Sequence, residues 1–203
     1  MSLLVEKIAA RSVLKPVGNG TFVAVVGASG AGKDTLMNFA RDALKDRWDV
    51  FFVQRVITRP TDGATEDHIP ATDAGFEDLA QDGHFAFAWQ AHGLMYGLPA
   101  EIDALIADGK TAVCNGSRAA LAGLKQRYAN FVVINITARR DVLASRLAAR
   151  GREDRDQILQ RLDRGRELDA QLSDAIVIDN SGAVETAGRA LVEAIVSAGK
   201  SAR

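Results

Sequence analysis

The sequence predicts an α/β fold built on a parallel sheet of about five strands flanked by helices, on three observations. Short β-branched runs recur along the 203 residues. Stretches with apolar residues at helical spacing lie between them. The runs are apolar almost without interruption, as strands buried on both faces are. A parallel sheet with crossover helices requires that alternation. The length suits one such layered domain with small insertions and is too short for two large ones.

Taken in order, the first 20 residues, "MSLLVEKIAARSVLKPVGNG", hold no continuous apolar core of signal-peptide length. They are expected to be an appended helix or tail ending at Gly18 to Gly20, with a single domain over 21 to 203. "FVAVV" (22 to 26) is the first strand, followed by a glycine-rich turn and a helix with the stripe Leu36, Met37, Phe39, Ala40, Ala43 and Leu44. "VFFV" (50 to 53) is the second. Residues 55 to 98 are too long for a plain crossover and rich in Thr, Asp, Gly, His and aromatics, so they predict a small insertion with its own short strands, such as "FAFAW". Phe87 and Trp89 read there as an apolar floor. "TAVC" (111 to 114), "FVVINI" (131 to 136) and "AIVI" (175 to 178) complete the strands, and Val184, Ala187, Leu191, Val192 and Ile195 mark a last helix.

Composition narrows the function. The 25 basic and 26 acidic side chains nearly cancel, so nothing global suggests a nucleic-acid or membrane partner. No apolar run approaches the ~20 residues that span a bilayer. The single cysteine, Cys114, cannot form an internal disulfide, fits a reducing compartment and reads as a small buried hydrophobe, so a cytoplasmic protein is expected.

The turn after the first strand is "GASGAGKDTL" (27 to 36), in which Gly27, Gly32 and Lys33 meet the phosphate-loop pattern G-x-x-x-x-G-K-[ST]. Backbone N–H groups from Ala28, Ser29, Gly30, Ala31 and Gly32 to Lys33 and Asp34 would cradle the β-phosphate of ATP, and Lys33 would bridge the β- and γ-phosphates. The eighth position, where a hydroxyl usually helps hold Mg²⁺, is Asp34. A carboxylate beside a triphosphate must turn away or act on the metal, directly or through water; an acid in a first helical turn also stabilises the helix dipole. Thr35 offers a hydroxyl one position late. Further on, Arg139 to Arg166 carries nine arginines and no lysine. The plain reading is a solvated helix pair laced with ion pairs; the preference for guanidinium points to bidentate phosphate binding.

With these motifs the chain resembles the guanylate kinase group of nucleoside monophosphate kinases over roughly residues 20 to 198. The resemblance rests on the phosphate loop, "ITRP" (57 to 60), "HGLMYGLP" (92 to 99), "RLAARGRED" (146 to 154), "QILQRL" (157 to 162) and "AIVIDNSG" (175 to 182). It implies a P-loop fold of nucleoside monophosphate kinase type with an acceptor-binding insertion (55 to 98) and a helical lid (146 to 166). It also implies that Arg59 and Tyr96 hold the acceptor phosphate, that Asn180 lies at the nucleotide, and that Lys33, Arg150 and Arg161, with Arg146 as a third lid arginine, stabilise the transferring phosphoryl group.

The departures matter as much. Where that group reads guanine with a glutamate and a hydroxyl, this chain has "FAFAWQA" and Leu98, and where it has acidic residues after the strand "TAVC", this chain has Asn115, Gly116, Ser117 and Arg118. The bland reading of "NGSR" is a tight turn. Together with Asp34 it suggests an acid moved from the strand end to the phosphate loop, suiting a more heavily phosphorylated acceptor. "GKDT" with "CNGSR", "ITRP", Asp67, His68, "HGLMYG" and "EID" is similar to the ribose 1,5-bisphosphate phosphokinases of phosphonate degradation. That similarity implies ATP and Mg²⁺, a small phosphorylated sugar as acceptor, and substrate contacts from Arg55, Arg59, His68, Tyr96, Asn115, Ser117 and Arg118. His68 stands near the place of a phosphate-binding tyrosine, and an exposed loop histidine is the other reading. Two alternatives remain at this stage, a guanylate kinase with altered base contacts and a non-catalytic module that binds phosphorylated partners.

Overall fold

The computed structural model describes residues 16–60, 68–149, 162 and 172–200. Its central sheet is wholly parallel. Strand β1 (Thr21–Gly27) lies in the middle, hydrogen-bonded to β7 (Thr111–Asn115) on one side and β8 (Phe131–Thr137) on the other. Beyond β7 lies β2 (Val50–Val53), and beyond β8 lies β9 (Ile176–Asp179). The five predicted apolar runs are these five strands.

Successive side chains of a strand point to opposite faces, and β1 shows the result. Val23 and Val25 pack into a core with helix α1 (Lys33–Ala43) and the C-terminal helix α6 (Val184–Lys200), through Leu36, Met37, Ala40, Leu191 and Ile195. Phe22 and Ala24 join the opposite core with Ile102 and Ile106 of α3 (Glu101–Ala107) and Leu124 of α4 (Leu121–Arg127). On that side Phe22 stacks on Tyr128 at 4.6 Å between ring centroids. The Tyr128 hydroxyl donates to Asp103 at 3.1 Å, and Arg127 pairs with the same carboxylate.

A second sheet stands between β2 and α3. It contains β3 (Arg55–Ile57), β4 (His68–Pro70), β5 (Phe85–Ala91) and β6 (Leu94–Pro99) in the order β4-β3-β6-β5, with α2 (Asp73–Gln81) packed on it. The hairpin β5-β6 turns through His92 and Gly93, both at positive φ. One face buries Val56, Phe76, Phe85, Ala88 and Met95 together. The other turns Phe87, Trp89 and Leu98 into the core shared with Phe22, Ala112 and Cys114 of the central sheet. That shared core packs the second sheet against one face of β1 and β7.

One expectation changes, and two others fall largely outside the described residues. The run at 175 to 178 reads as buried on both faces, yet Ile176 and Val177 of β9 are 42% and 61% exposed, because β9 is the last strand of the described sheet. Of the N-terminal segment, residues 1–15 lie outside the described residues, and Val17 forms a parallel bridge with Tyr128. Of the lid segment, helix α5 (Arg140–Ala148) supplies the first part and Leu162 packs against its Leu147; 150–161 and 163–171 lie outside the described residues, Arg150 and Arg161 among them. Among the described residues no helix is long and apolar enough to cross a membrane.

Candidate active site

The chain leaves β1 at Gly27 and enters α1 at Lys33. Gly32 is the N-cap, at φ 83° and ψ 23°, with no side chain capping the helix. The first N–H groups of an α-helix have no partner inside it, so this end is open to an anion. Two glycines are required by space. A Cβ at Gly27 would strike the Ile136 carbonyl of β8, and one at Gly32 would strike the Asn180 amide.

Asn180, just past β9, is 2% exposed, and its Nδ2 donates to the Ala31 carbonyl at 2.7 Å. Arg146 of α5 donates through Nη2 to the Asn180 carbonyl at 2.9 Å and through Nη1 toward the carbonyls of Gly30 and Ala31 at 3.4 and 3.5 Å. A trans peptide points its N–H opposite to its C=O. Holding the Ala31 carbonyl toward Asn180 therefore turns the Gly32 N–H the other way, away from Asn180. Read from sequence as a lid arginine, Arg146 braces the loop's backbone. The Oδ1 of Asn180 is buried with no hydrogen-bond partner among the described residues.

Asp34, the second residue of α1, is half-buried and accepts a hydrogen bond from Asn115 Nδ2 at 2.9 Å. The acid in the loop and the amide at the end of β7, 81 residues apart, thus form one unit. Thr35 is exposed. After Asn115 the chain turns: Gly116 donates to the Val25 carbonyl at 2.8 Å, and Ser117 Oγ accepts from Ala119 N at 3.3 Å, capping a 3₁₀ turn over Arg118–Ala120. The tight turn is real, and Arg118 opens the 3₁₀ turn half-buried.

Facing this edge is the second sheet. Arg55 is only 6% exposed, with its guanidinium carbon 5.9 Å from the centroid of Trp89 and 5.3 Å from that of Tyr96. Those two rings are themselves stacked, 5.1 Å apart at 10°, as cross-strand neighbours of β5 and β6. Burial pulls the Arg55 pKa below its ordinary value; Cys114, Tyr96 and Asp34 oppose the shift and Arg59 adds to it. Burial also raises the Cys114 thiol to about 11, so it remains neutral. Arg59 follows β3, half-buried, and His68 Nε2 donates to its carbonyl at 3.2 Å in the tautomer that carries the proton there. His68 is 7% exposed, which removes the exposed-loop reading. It sits in β4 beside Arg55 in the strand register and steadies the backbone of Arg59.

The structure thus joins Gly30, Ala31, Arg146 and Asn180 into one cluster, Asp34 and Asn115 into a second, and Arg55 and Tyr96 into a third. Sequence reasoning missed Trp89 as part of the third. Counting outward from the His92-Gly93 turn pairs position 89 with 96, so the hairpin itself carried the signal. Phe87 and Leu98, at the places where guanine contacts are absent from the sequence, are 5% and 0% exposed.

Comparison with known proteins follows the same lines. No family model matches the chain. The ribose 1,5-bisphosphate phosphokinase of Brucella melitensis is 47% identical over 173 residues, 85% of this chain and 90% of that protein. That of Agrobacterium fabrum is 45% identical over 180 residues, 88% of this chain and 98% of its own length. A crystal structure of guanylate kinase from Anaplasma phagocytophilum superposes with a TM-score of 0.63 at 17% identity, covering 91% of this chain and 88% of that one. The architecture is accordingly that of the guanylate kinase fold. At this identity and coverage, and with the guanine-contact positions closed by apolar side chains, the chain belongs to the ribose 1,5-bisphosphate phosphokinase family.

Proposed function

We propose that the protein transfers the γ-phosphoryl group of ATP to the 1-phosphate of ribose 1,5-bisphosphate, giving 5-phosphoribosyl 1-diphosphate and ADP, in the phosphonate catabolism of the cytoplasm. One observation carries the choice of acceptor. The wall opposite the phosphate loop offers guanidinium groups and aromatic faces, while Phe87 and Leu98 offer nothing to the edge of a purine. A site without partners for those polar edges rejects the base, because binding would strip its water unrepaid.

The nucleophile is an oxygen of the 1-phosphate. A phosphate monoester is largely dianionic near neutrality, its second pKa being about 6, so no general base is needed. Catalysis then lies in alignment and charge neutralisation. The backbone N–H groups of residues 28 to 34 and the Lys33 ammonium hold the donor phosphates. Arg59, Tyr96 and Arg55 hold the acceptor, with Asn115, Ser117 and Arg118 along the rim and His68 behind Arg59. Arg150 and Arg161 supply cations to the transferring group from the segment after α5.

Asp34 and Thr35 are the residues that would hold Mg²⁺. Among the described residues no cluster of three His, Cys, Asp or Glu side chains forms a cage. That fits an ion bound by one or two protein oxygens and completed by phosphates and water. Asp34 Oδ1, fixed by Asn115, is a hard oxygen donor at the mouth of the loop. When bound, the ion supplies neutralisation of phosphate charge.

The test is incubation with ATP and, separately, ribose 1,5-bisphosphate, ribose 5-phosphate and GMP, followed by ³¹P NMR. A new pair of pyrophosphate doublets from the bisphosphate is the expected outcome. Turnover of GMP alone would overturn the proposal.

A further inference from the structure

The strand that delivers Arg59 to the site ends in an unusual way. Ile57 of β3 lies opposite Tyr96 of β6, so the next step along this antiparallel ladder sets Thr58 opposite Met95. A pair at such a position ordinarily exchanges two backbone N–H···O bonds. Here the Thr58 N–H donates to the Met95 carbonyl at 3.1 Å, but the Met95 N–H donates to the Thr58 side chain, 2.9 Å from Oγ1. The hydroxyl thus stands in for the carbonyl that a continuing strand would offer. Pro60 explains the exchange, because it has no N–H to extend a ladder and holds the residue before it, Arg59, extended. The chain must leave the sheet there, and Thr58 Oγ1 ties it to β6 at the point of departure. On the other side of β3, the Ala71 N–H donates to the Ile57 carbonyl at 3.0 Å, and the His68 ring reaches the Arg59 carbonyl. The backbone from Ile57 to Arg59 is therefore held from both neighbouring strands, while the Tyr96 ring is held by its stack on Trp89.

Resting on the proposed acceptor, we infer that Thr58 is a positioning residue for phosphoryl transfer: its hydroxyl, by replacing a backbone carbonyl in the ladder, sets Arg59 at the spacing from Tyr96 that one phosphate of the acceptor requires. Met95 is 8% exposed. Without the hydroxyl its N–H is left buried and unsatisfied, and the end of β3 shifts toward arrangements that give it another partner. Arg59 is the next residue and moves with that end. Acceptor binding must then restore the strand end, and the fraction of molecules that are competent sets the loss of apparent affinity. The threonine in "ITRP" thereby gains a role of its own beside the arginine.

Thr58→Val keeps the shape and removes the hydroxyl. KM for ribose 1,5-bisphosphate is expected to rise about tenfold, the order of one unsatisfied buried donor, with the KM for ATP unchanged. Thr58→Ser keeps the oxygen and should stay within about twofold of the parent. Thr58→Ala also lacks the oxygen and repeats the measurement should the valine variant fail to fold. A role exercised through Arg59 is tested by a double-mutant cycle on kcat/KM for the acceptor: in an Arg59→Ala background, Thr58→Val is expected to lower it by less than about twofold. A clasp that serves only the fold of the second sheet would lower kcat/KM equally in both backgrounds, and that result overturns the inference. An unchanged KM in the variants without the hydroxyl, or an equal rise in Thr58→Ser, overturns it as well, and each of these outcomes leaves the proposed reaction intact. If instead GMP alone is turned over, the reaction falls, and the same cycle measured with GMP still decides whether Thr58 acts through Arg59.

Discussion

Removing the Asn115 side chain tests the link between the phosphate loop and the strand end. In the structure Asn115 Nδ2 donates to Asp34 Oδ1 at 2.9 Å, both residues being half-buried. A hydrogen bond to an ionised group contributes about 1.5–3 kcal/mol, and partial exposure places this one near the lower end, about 1.5 kcal/mol. For a chain of this size that corresponds to a fall in Tm of roughly 3–6 °C. Asn115→Ala should show it by calorimetry in the absence of nucleotide. The decisive measurement is the double-mutant cycle with Asp34→Ala, because it isolates the pair from everything else each residue does. A coupling energy of about 1–2 kcal/mol is expected, so the double variant should be little worse than the poorer single one. In turnover, Asn115→Ala and Asp34→Asn should both raise the Mg²⁺ concentration needed for half-maximal rate and lower kcat by at least about tenfold, since a misaligned group costs on that scale. Additive losses of stability would show that the two side chains act separately, and an unchanged Mg²⁺ requirement would return Asp34 to the plain role of an acid at a helix N-terminus.

Three further outcomes follow from the same geometry. Gly32→Ala demands a left-handed alanine, at about 1 kcal/mol, and drives its Cβ into the Asn180 amide; titration calorimetry should show loss of ATP binding, and retained binding would mean that the loop has another shape. Arg146→Lys keeps the charge and loses the fork that spans two chain segments, so KM for ATP should rise about tenfold at an unchanged acceptor KM, and an unchanged ATP KM would remove the brace from the account. The Cys114 thiol is raised from 9.0 to about 11 by burial, so the folded state favours its neutral form; that contribution is present below pH 9 and is lost as pH rises from 9 through about 11. Urea unfolding across that range should give a shallower decline of stability in Cys114→Ala than in the parent, and parallel profiles would refute the assignment.

The strands were legible because a run such as "FVAVV" can be buried on both faces only inside a covered sheet. The same logic overreached at "AIVI", since an apolar run looks alike whether its strand is central or last, and Val177 is 61% exposed. Strand order was not legible at all: β2 lies beside β7 through pairing of Val50 with Thr111, a contact no local pattern encodes. In the site, Asp34 and Asn115 stood out as jointly unusual residues, and the geometry turned that coincidence into a hydrogen bond. His68 was ambiguous because residue type says nothing of burial. Arg146 was read among the lid arginines because its side chain reaches the phosphate loop only through the rotation of α5, which the weak apolar pattern of that helix leaves undefined.

The hydrogen bond from Asn180 to Ala31 has a consequence for the order in which the protein becomes active. It closes a span of 149 residues, and Thr21 Oγ1 donates to the Ala198 carbonyl across an enclosing span of 177. Contacts so distant in sequence form late, after closure entropy has been offset by local structure. During synthesis the phosphate loop precedes by 149 residues the side chain that holds its backbone. A nascent chain or truncation ending before residue 180 therefore carries the nucleotide motif without the side chain that holds its backbone, and competence for phosphoryl transfer waits on Asn180.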